Sequence, residues 1–379
     1  MMNKQFQRSY EGKRVWLSGH TGFKGAWLSQ WLVELGAVVH GYALAPETTP
    51  ALFDQLGLSH RMEHEIADIR NAESVKKSIH DFQPDFVFHL AAQPLVRRSY
   101  LIPVETYETN VNGTIHLLEA LRCLTKPCAA VIVTTDKCYQ NHESGRAYEE
   151  GDSLGGHDPY SSSKAMAEIV TAAYRNSYFQ DHPVRVATAR AGNVIGGGDW
   201  AEDRIVPDAM LALDQGKPIS VRNSSAVRPW QHVLEPLSGY LTLAAKIFAC
   251  GVDEESFSSS PASGTSTSTH QLQLAQLCSA FNFGPGPDSN RTVADLVQEI
   301  LKHHHGEWRD ASDPKALHEA TLLNLSIQKA GKILGWRPVW NFEETIQKTV
   351  SWYDTVLDKT ATPVELTSRQ IAEYQQNLP

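Results

Sequence analysis

Tyr160 and Lys164 stand four residues apart in the run Tyr160-Ser161-Ser162-Ser163-Lys164, one turn apart on one helical face. An ammonium beside a phenol, helped by an oxidised nicotinamide ring, lowers the phenol pKa toward the working range. The tyrosinate can then take a proton from a sugar hydroxyl as hydride leaves the same carbon. Alone, this spacing describes many surface pairs. It gains weight from Gly19-His20-Thr21-Gly22-Phe23-Lys24-Gly25, where an apolar strand runs directly into a helix. Glycines at 19, 22 and 25 permit a tight turn and close backbone approach, and the helix N-terminus offers free N–H groups to a pyrophosphate. The loop therefore nominates Gly19, Thr21, Gly22, Phe23, Lys24 and Gly25 as dinucleotide contacts. A second strand would end at Thr134-Thr135, hydroxyl residues suited to a site beside the phenol.

Two further positions belong to the dinucleotide question. The strand after the glycine loop closes His40-Gly41-Tyr42-Ala43-Leu44-Ala45-Pro46, with neither a carboxylate for a ribose nor an Arg for a 2′-phosphate. The usual rule for choosing NAD or NADP is silent there. Asp68-Ile69-Arg70 follows a short strand, and Asp68 could receive the adenine amino group or cap the helix Asn71 to Phe82.

The elements that position these residues read as an alternation. Val15-Trp16-Leu17, Ala37 to Tyr42, Phe86 to Leu90, Ala129 to Thr134 and Val184 to Ala189 are apolar runs of strand length. Between them lie helical patterns: Trp27, Leu28, Trp31, Leu32 and Leu35 with Gly36 as stop, then about 73–82, 103–123 and 160–178. That rhythm predicts an α/β chain with a doubly wound parallel sheet of Rossmann type over residues 1–191. A smaller mixed α/β lobe is expected over 192–360, with some segments returning to the main sheet. Residues 256–269 hold 12 Ser, Thr, Pro or Gly in 14 positions, and the stretch about 252–280 is expected to be a flexible surface insertion. The tail, 361–379, carries no readable motif.

Composition narrows the class. With 41% hydrophobic residues among 379, the chain can bury a large core, which excludes a mostly disordered protein. A net charge of -9 argues against nucleic-acid binding. No run approaches 18 apolar residues, and Met1 to Gly12 lacks the apolar stretch of a signal peptide, so no membrane partner and a cytoplasmic location are expected. Five cysteines at irregular spacing give neither a disulfide framework nor a zinc site. His303-His304-His305 reads as a solvated helix end, and no metal is expected.

The combination resembles the extended short-chain dehydrogenase/reductase superfamily: the glycine loop, the strand end His89-Leu90-Ala91-Ala92, and the Tyr-x-x-x-Lys pair. Within it the chain is similar to the nucleotide-sugar 4,6-dehydratases through Ala92-Gln93-Pro94-Leu95-Val96-Arg97, Thr135-Asp136-Lys137-Cys138-Tyr139, Arg190 to Trp200 and Arg228 to Val233. The resemblance spans roughly residues 8–355. It implies NAD, contacted also by Leu90, Ala91 and Ala92, a nucleotide-sugar substrate, and a homodimer or homotetramer built on the helices at 103–123 and 160. It further implies oxidation at carbon 4, loss of water across carbons 5 and 6, and hydride return to carbon 6. Thr135, Tyr160 and Lys164 would serve the first stage, and Asp136 would be the elimination acid. Relatives place Glu where Lys137 stands here; Lys137 is either a carbon-5 base of lowered pKa or a cation stabilising the enolate. Asn193, Arg204, Arg228, Asn282 and His318 match substrate-binding segments. The rival reading on the same scaffold is a 4-epimerase, which has no use for an elimination acid.

Overall fold

Strands buried on both faces cannot alternate polar and apolar residues, and the central ones here do not. Cys128-Ala-Ala-Val-Ile-Val133 is buried at every position. The computed structural model describes residues 3–143, 145–257, 264–312 and 323–378. Its main sheet has seven strands: β1 (Arg14–Ser18), β2 (Val38–Ala43), β3 (Glu63–Ile66), β4 (Phe86–His89), β5 (Cys128–Val133), β6 (Val184–Ala191) and β7 (Ala280–Phe283). The spatial order is β7-β6-β5-β4-β1-β2-β3, and every pairing is parallel. Chain direction across the sheet reverses between β1 and β4. Ligand crevices in such sheets open there, beyond the carboxyl ends of the strands.

Period-two alternation sorts the strand side chains into two cores. Val15, Leu17, Phe86, Phe88, Ala129 and Val131 face one side; Trp16, Val87, Ala130 and Ile132 face the other. The first face is covered by α1 (Phe23–Glu34) and by the long helix Leu234–Phe257. The second is covered by α2 (Ala72–Phe82) and α3 (Gly113–Leu121). Trp27, Leu28, Trp31 and Leu32 of α1 are fully buried, each worth about 1.5–3 kcal/mol of transfer free energy. The helix that carries Tyr160 and Lys164, α4 (Pro159–Tyr178), begins at an Asp158 cap whose side chain accepts from Ser161 N–H.

The smaller lobe is assembled from short pairings. Val194–Ile195 pairs with Gln231–His232, Val227–Pro229 with Asn290–Thr292, and Ile219–Val221 with Trp308–Asp310. Segments do return to the main sheet: β7 adds its outer strand, and Leu234–Phe257 packs beneath β5 and β6.

The helix expected at 103–123 runs from Pro103 to Leu121, widening to a π-helical turn at Glu108–Asn112 before α3. Other expectations need correction. The Ser/Thr-rich region is helical on both flanks, at Leu234–Phe257 and Gly264–Leu277, while residues 258–263 lie outside the described residues. Leu274 and Leu277 explain the second flank, since both are buried in the main core. The motif-free tail forms a capped helix, Pro363–Gln376. Ser368 meets Gln30 of α1 at 2.9 Å, and Tyr374 donates to buried Glu235 at 2.6 Å. His303 and His304 are not simply solvated, for they face Glu299 and Asp354 at 3.7 and 3.1 Å.

Candidate active site

The glycine loop leaves β1 with Gly19 at φ 77°, a conformation that favours glycine. A Cβ on Gly19 would lie 2.7 Å from the Ala91 nitrogen, and one on Gly25 would lie 1.9 Å from the Gly19 oxygen. Gly22, the exposed N-cap of α1, would meet only the Gly19 oxygen at 3.5 Å, and no side chain caps the helix there. Two glycines thus fold the loop upon itself while the third leaves an open cradle at uncapped N–H groups. That arrangement fits a dinucleotide pyrophosphate.

The other dinucleotide candidates differ in what they can offer. Thr21 donates its hydroxyl to the Leu44 carbonyl at 2.9 Å, which ties the loop to the end of β2. The Leu90 and Ala91 N–H groups donate to Ser18 Oγ at 3.1 and 3.2 Å, closing the gap between β4 and β1; Ala92 follows them. Phe23 turns inward, where a Cβ on Gly196 would meet its ring at 3.2 Å. Ile69 is buried, and a Cβ on Gly113 would meet it at 2.8 Å. Asp68 does not cap α2; Asn71 does, accepting from Ser74 N–H at 3.1 Å. Asp68 instead pairs with Arg70 at 2.6 Å, which holds its carboxyl below the usual range. Lys24 turns into the cleft. Burial, then the Arg204, Lys164 and Lys137 charges, push it down to about 7 against the pull of Asp136.

The reacting groups converge where β5 ends. Thr135 is an extended residue opening a single turn, Asp136–Cys138, and its hydroxyl donates to Asp136 Oδ1 at 3.0 Å. Tyr160 is buried and hydrogen-bonded to Thr135; burial raises it to about 12 despite that bond. Lys164 donates to the Val133 carbonyl at 3.1 Å, and burial presses it down to about 8 against the opposing charge of Glu168. The expected lowering of the phenol by the lysine is therefore not realised between these side chains alone. Desolvation is the larger effect, and the ammonium is engaged by a backbone carbonyl.

Asp136 is 1% exposed. Its Oδ1 accepts from Thr135 and from Lys137 Nζ at 3.2 Å, whereas the buried Oδ2 has no partner among the described residues. A Cβ on Gly192 would stand 3.0 Å from that oxygen, so the glycine keeps space beside it. Lys137 also donates to Asn193 Oδ1 at 3.2 Å, which brings Asn193 into the cluster. Arg204 Nε faces buried Asp199 at 3.6 Å, an ion pair without a hydrogen bond. Its charge acts on both Tyr160 and Lys24.

Three substrate candidates fare differently. Arg228 sits in a short strand and donates to its neighbour's Val227 carbonyl at 3.0 Å, while adjoining Pro229 borders Gly192. Asn282 is fully buried. Its amide donates to the Tyr148 and Ser326 carbonyls at 3.0 and 3.2 Å, and its oxygen accepts from Tyr139 at 2.8 Å. His318 lies outside the described residues. Reading the sequence missed Glu168 and Arg190, buried directly behind the cluster, although Glu168 extends the four-residue spacing of Tyr160 and Lys164.

Comparison with known proteins gives three findings. A family model for GDP-mannose 4,6 dehydratase matches residues 17–349. A CDP-glucose 4,6-dehydratase of Salmonella typhimurium is 43% identical over 363 residues, 93% of each chain. Among solved structures, a dTDP-glucose 4,6-dehydratase from Streptomyces venezuelae with NAD bound superposes with a TM-score of 0.72 at 22% identity, covering 90% of this chain and 97% of its own. A UDP-glucose 4-epimerase of Thermus thermophilus with NAD reaches 0.69 at 24%, covering 90% and 99%. Dehydratase and epimerase thus share this fold, and the fold does not choose between them.

Proposed function

The chain belongs to the nucleotide-sugar 4,6-dehydratase family of the extended short-chain dehydrogenases/reductases, and on that premise we propose that it converts CDP-glucose to CDP-4-dehydro-6-deoxy-glucose with NAD. The observation that carries the reading is the unpartnered, buried Oδ2 of Asp136, set beside the Thr135–Tyr160 pair. An epimerase needs only reversible oxidation at carbon 4. A buried acid with one free oxygen is what elimination requires.

A bound nicotinamide supplies the hydride acceptor and a positive charge near the phenol. Tyr160, held by Thr135, takes the proton from the carbon-4 hydroxyl, and Lys164 keeps that side of the site cationic. Oxidation there acidifies the carbon-5 proton. Asp136 then gives a proton from Oδ2 to the departing carbon-6 hydroxyl, so that water leaves. Lys137, bonded to Asp136 and Asn193, takes the carbon-5 proton, stabilises the enolate oxygen as the ammonium so formed, and returns the proton to carbon 5 as hydride goes to carbon 6. Lys24 and Arg204 add positive charge for the diphosphate, together with Arg228.

The 43% identical relative supports the cytosine nucleotide. Incubation with CDP-glucose, dTDP-glucose, UDP-glucose and GDP-mannose, read by the alkali-induced absorbance of a 4-keto sugar, tests the assignment. Signal with CDP-glucose alone is expected, and product with another nucleotide in preference would reject it.

For the cofactor, no arginine closes β2, where Leu44 and Ile66 stand exposed. Residues 38–46 hold no Lys or Arg to meet a 2′-phosphate. Calorimetry should show NAD tighter than NADP by about tenfold or more, roughly 1.4 kcal/mol. The reverse order would remove the NAD assignment.

A homodimer is part of the same proposal. Val104, Met166 and Ile169 are 69%, 43% and 55% exposed on the helices expected to pair, and Leu101, 82% exposed, ends the helix Val96–Leu101 just before them. Apolar side chains at that exposure on α4 and its packed neighbours suit burial by a second copy. Sedimentation should give twice the chain mass at micromolar concentration, and Ile169→Glu should shift it to the monomer. A parent protein that sediments as a monomer refutes the pairing. A cytoplasmic location accords with five cysteines that form no disulfide. No helix among the described residues is long and apolar enough to cross a membrane.

A further inference from the structure

Behind the reacting groups lies a buried ion pair that the chemistry above does not use. Glu168 follows Lys164 by one turn of α4 and is 3% exposed. Its carboxylate accepts from Thr134 Oγ1 at 2.5 Å, Thr188 Oγ1 at 2.8 Å and Arg190 Nη2 at 2.9 Å. One side chain therefore ties α4 to the end of β5 and to β6. Arg190 in turn donates through Nη1 to the Tyr139 hydroxyl at 2.7 Å and the Glu150 carbonyl at 3.2 Å. Its guanidinium also lies over the Tyr139 ring, 4.9 Å from the centroid. Tyr139 directly follows the turn that carries Asp136 and Lys137.

A buried ion pair is weak evidence for stability, because apolar residues of similar volume often serve as well. What apolar residues cannot supply is a set of directional bonds. These end on the residue before Thr135, on the helix of Tyr160 and Lys164, and on the residue after the Asp136 turn. We propose that Glu168, clamped by Arg190, is a positioning residue for both chemical stages. It sets α4 against the strand end so that Tyr160 meets Thr135 while Asp136 keeps its second oxygen free. Its charge has a further consequence at Lys164, where it is the largest influence opposing burial. The thiol of Cys138 in the neighbouring turn is kept neutral by burial, and His89 of β4 and Lys24 of α1 both feel the ammonium.

The inference rests on the dehydratase reading, and its test keeps the two apart. Glu168→Gln preserves volume and removes the charge. In full-length protein with CDP-glucose and NAD, kcat should fall on the order of 10²-fold, the scale of a misplaced reacting group. KM and NAD affinity should stay within about twofold. Independently of turnover, NMR of protein carrying ε-13C lysine should show Lys164 titrating about one pH unit lower than in the parent. A purely structural residue would lower the melting temperature and leave kcat and the Lys164 titration of the folded protein at parent values. That pattern overturns the proposal. Should the Gln variant fail to fold, Thr134→Val removes the clamp to β5 and leaves the ion pair whole. The same loss of kcat is expected there, and a parent kcat overturns the proposal equally. If the parent makes no 4-keto sugar at all, the dehydratase reading fails, while an unmoved Lys164 titration rejects this one.

Discussion

Asp136→Asn is expected to leave the first oxidation running and to stop the reaction one stage later. The substitution preserves the size of the side chain and lets Oδ1 continue to accept from Thr135 and Lys137. The acid at the other oxygen is what disappears. With CDP-glucose in a single turnover, NADH absorbance should appear and persist, because hydride has left carbon 4 and has nowhere to return. The 4-keto-6-deoxy product should form at least ~10²-fold more slowly, the scale of a lost general acid. Packing gives no reason for a lesser effect: Asp136 is buried, and Gly192 leaves room at the unpartnered oxygen for a substrate group. Lys137→Ala should resemble it, since the enolate would lose its neighbouring charge. Turnover of Asp136→Asn at the parent rate would place the elimination acid elsewhere.

The residues behind that prediction were legible in the sequence because their spacing is local. Gly19, Gly22 and Gly25 share one loop, Thr135 and Asp136 adjoin, and Tyr160 and Lys164 lie one turn apart. The parallel sheet was legible for a related reason, since strands covered on both faces are continuous apolar runs. Elements failed where distant residues decide. The widened turn within the 103–121 helix sits at Asn110, whose side chain accepts from Gln93 N–H at 2.8 Å and donates to Ser163 at 2.8 Å. Nothing within the segment announces those partners. Asn282 likewise acquires its bonds from residues 139, 148 and 326. The Ser/Thr-rich flank was misread because composition outweighed the two leucines that anchor it. The tail was misread despite a usable signal: Leu366, Gln370 and Tyr374 recur at four-residue spacing, and all are buried.

Tyr160→Phe should abolish the stage that Asp136→Asn spares. On the proposed mechanism the phenol oxygen takes the carbon-4 proton, and a benzene ring offers no substitute. Loss of a positioned base costs about 10²–10⁴-fold. The protein should remain folded, because the ring keeps its burial and only the bond to Thr135 is lost, a net cost of about 1 kcal/mol. NAD affinity should stay near the parent value while no NADH signal develops. The two substitutions thus divide the reaction at a visible intermediate, whereas one site serving a single step would give two identical phenotypes. The pH dependence of the parent's first stage follows from the same groups. Tyr160 stands at about 12 and Lys164 at about 8, both through burial. Below about 8 the lysine is charged and the phenol protonated, so the rate should rise with pH as phenolate becomes accessible. Above about 8 the lysine loses its proton, and that rise should flatten. A Tyr160→Phe protein that reduces NAD at the parent rate would show that another group takes the carbon-4 proton.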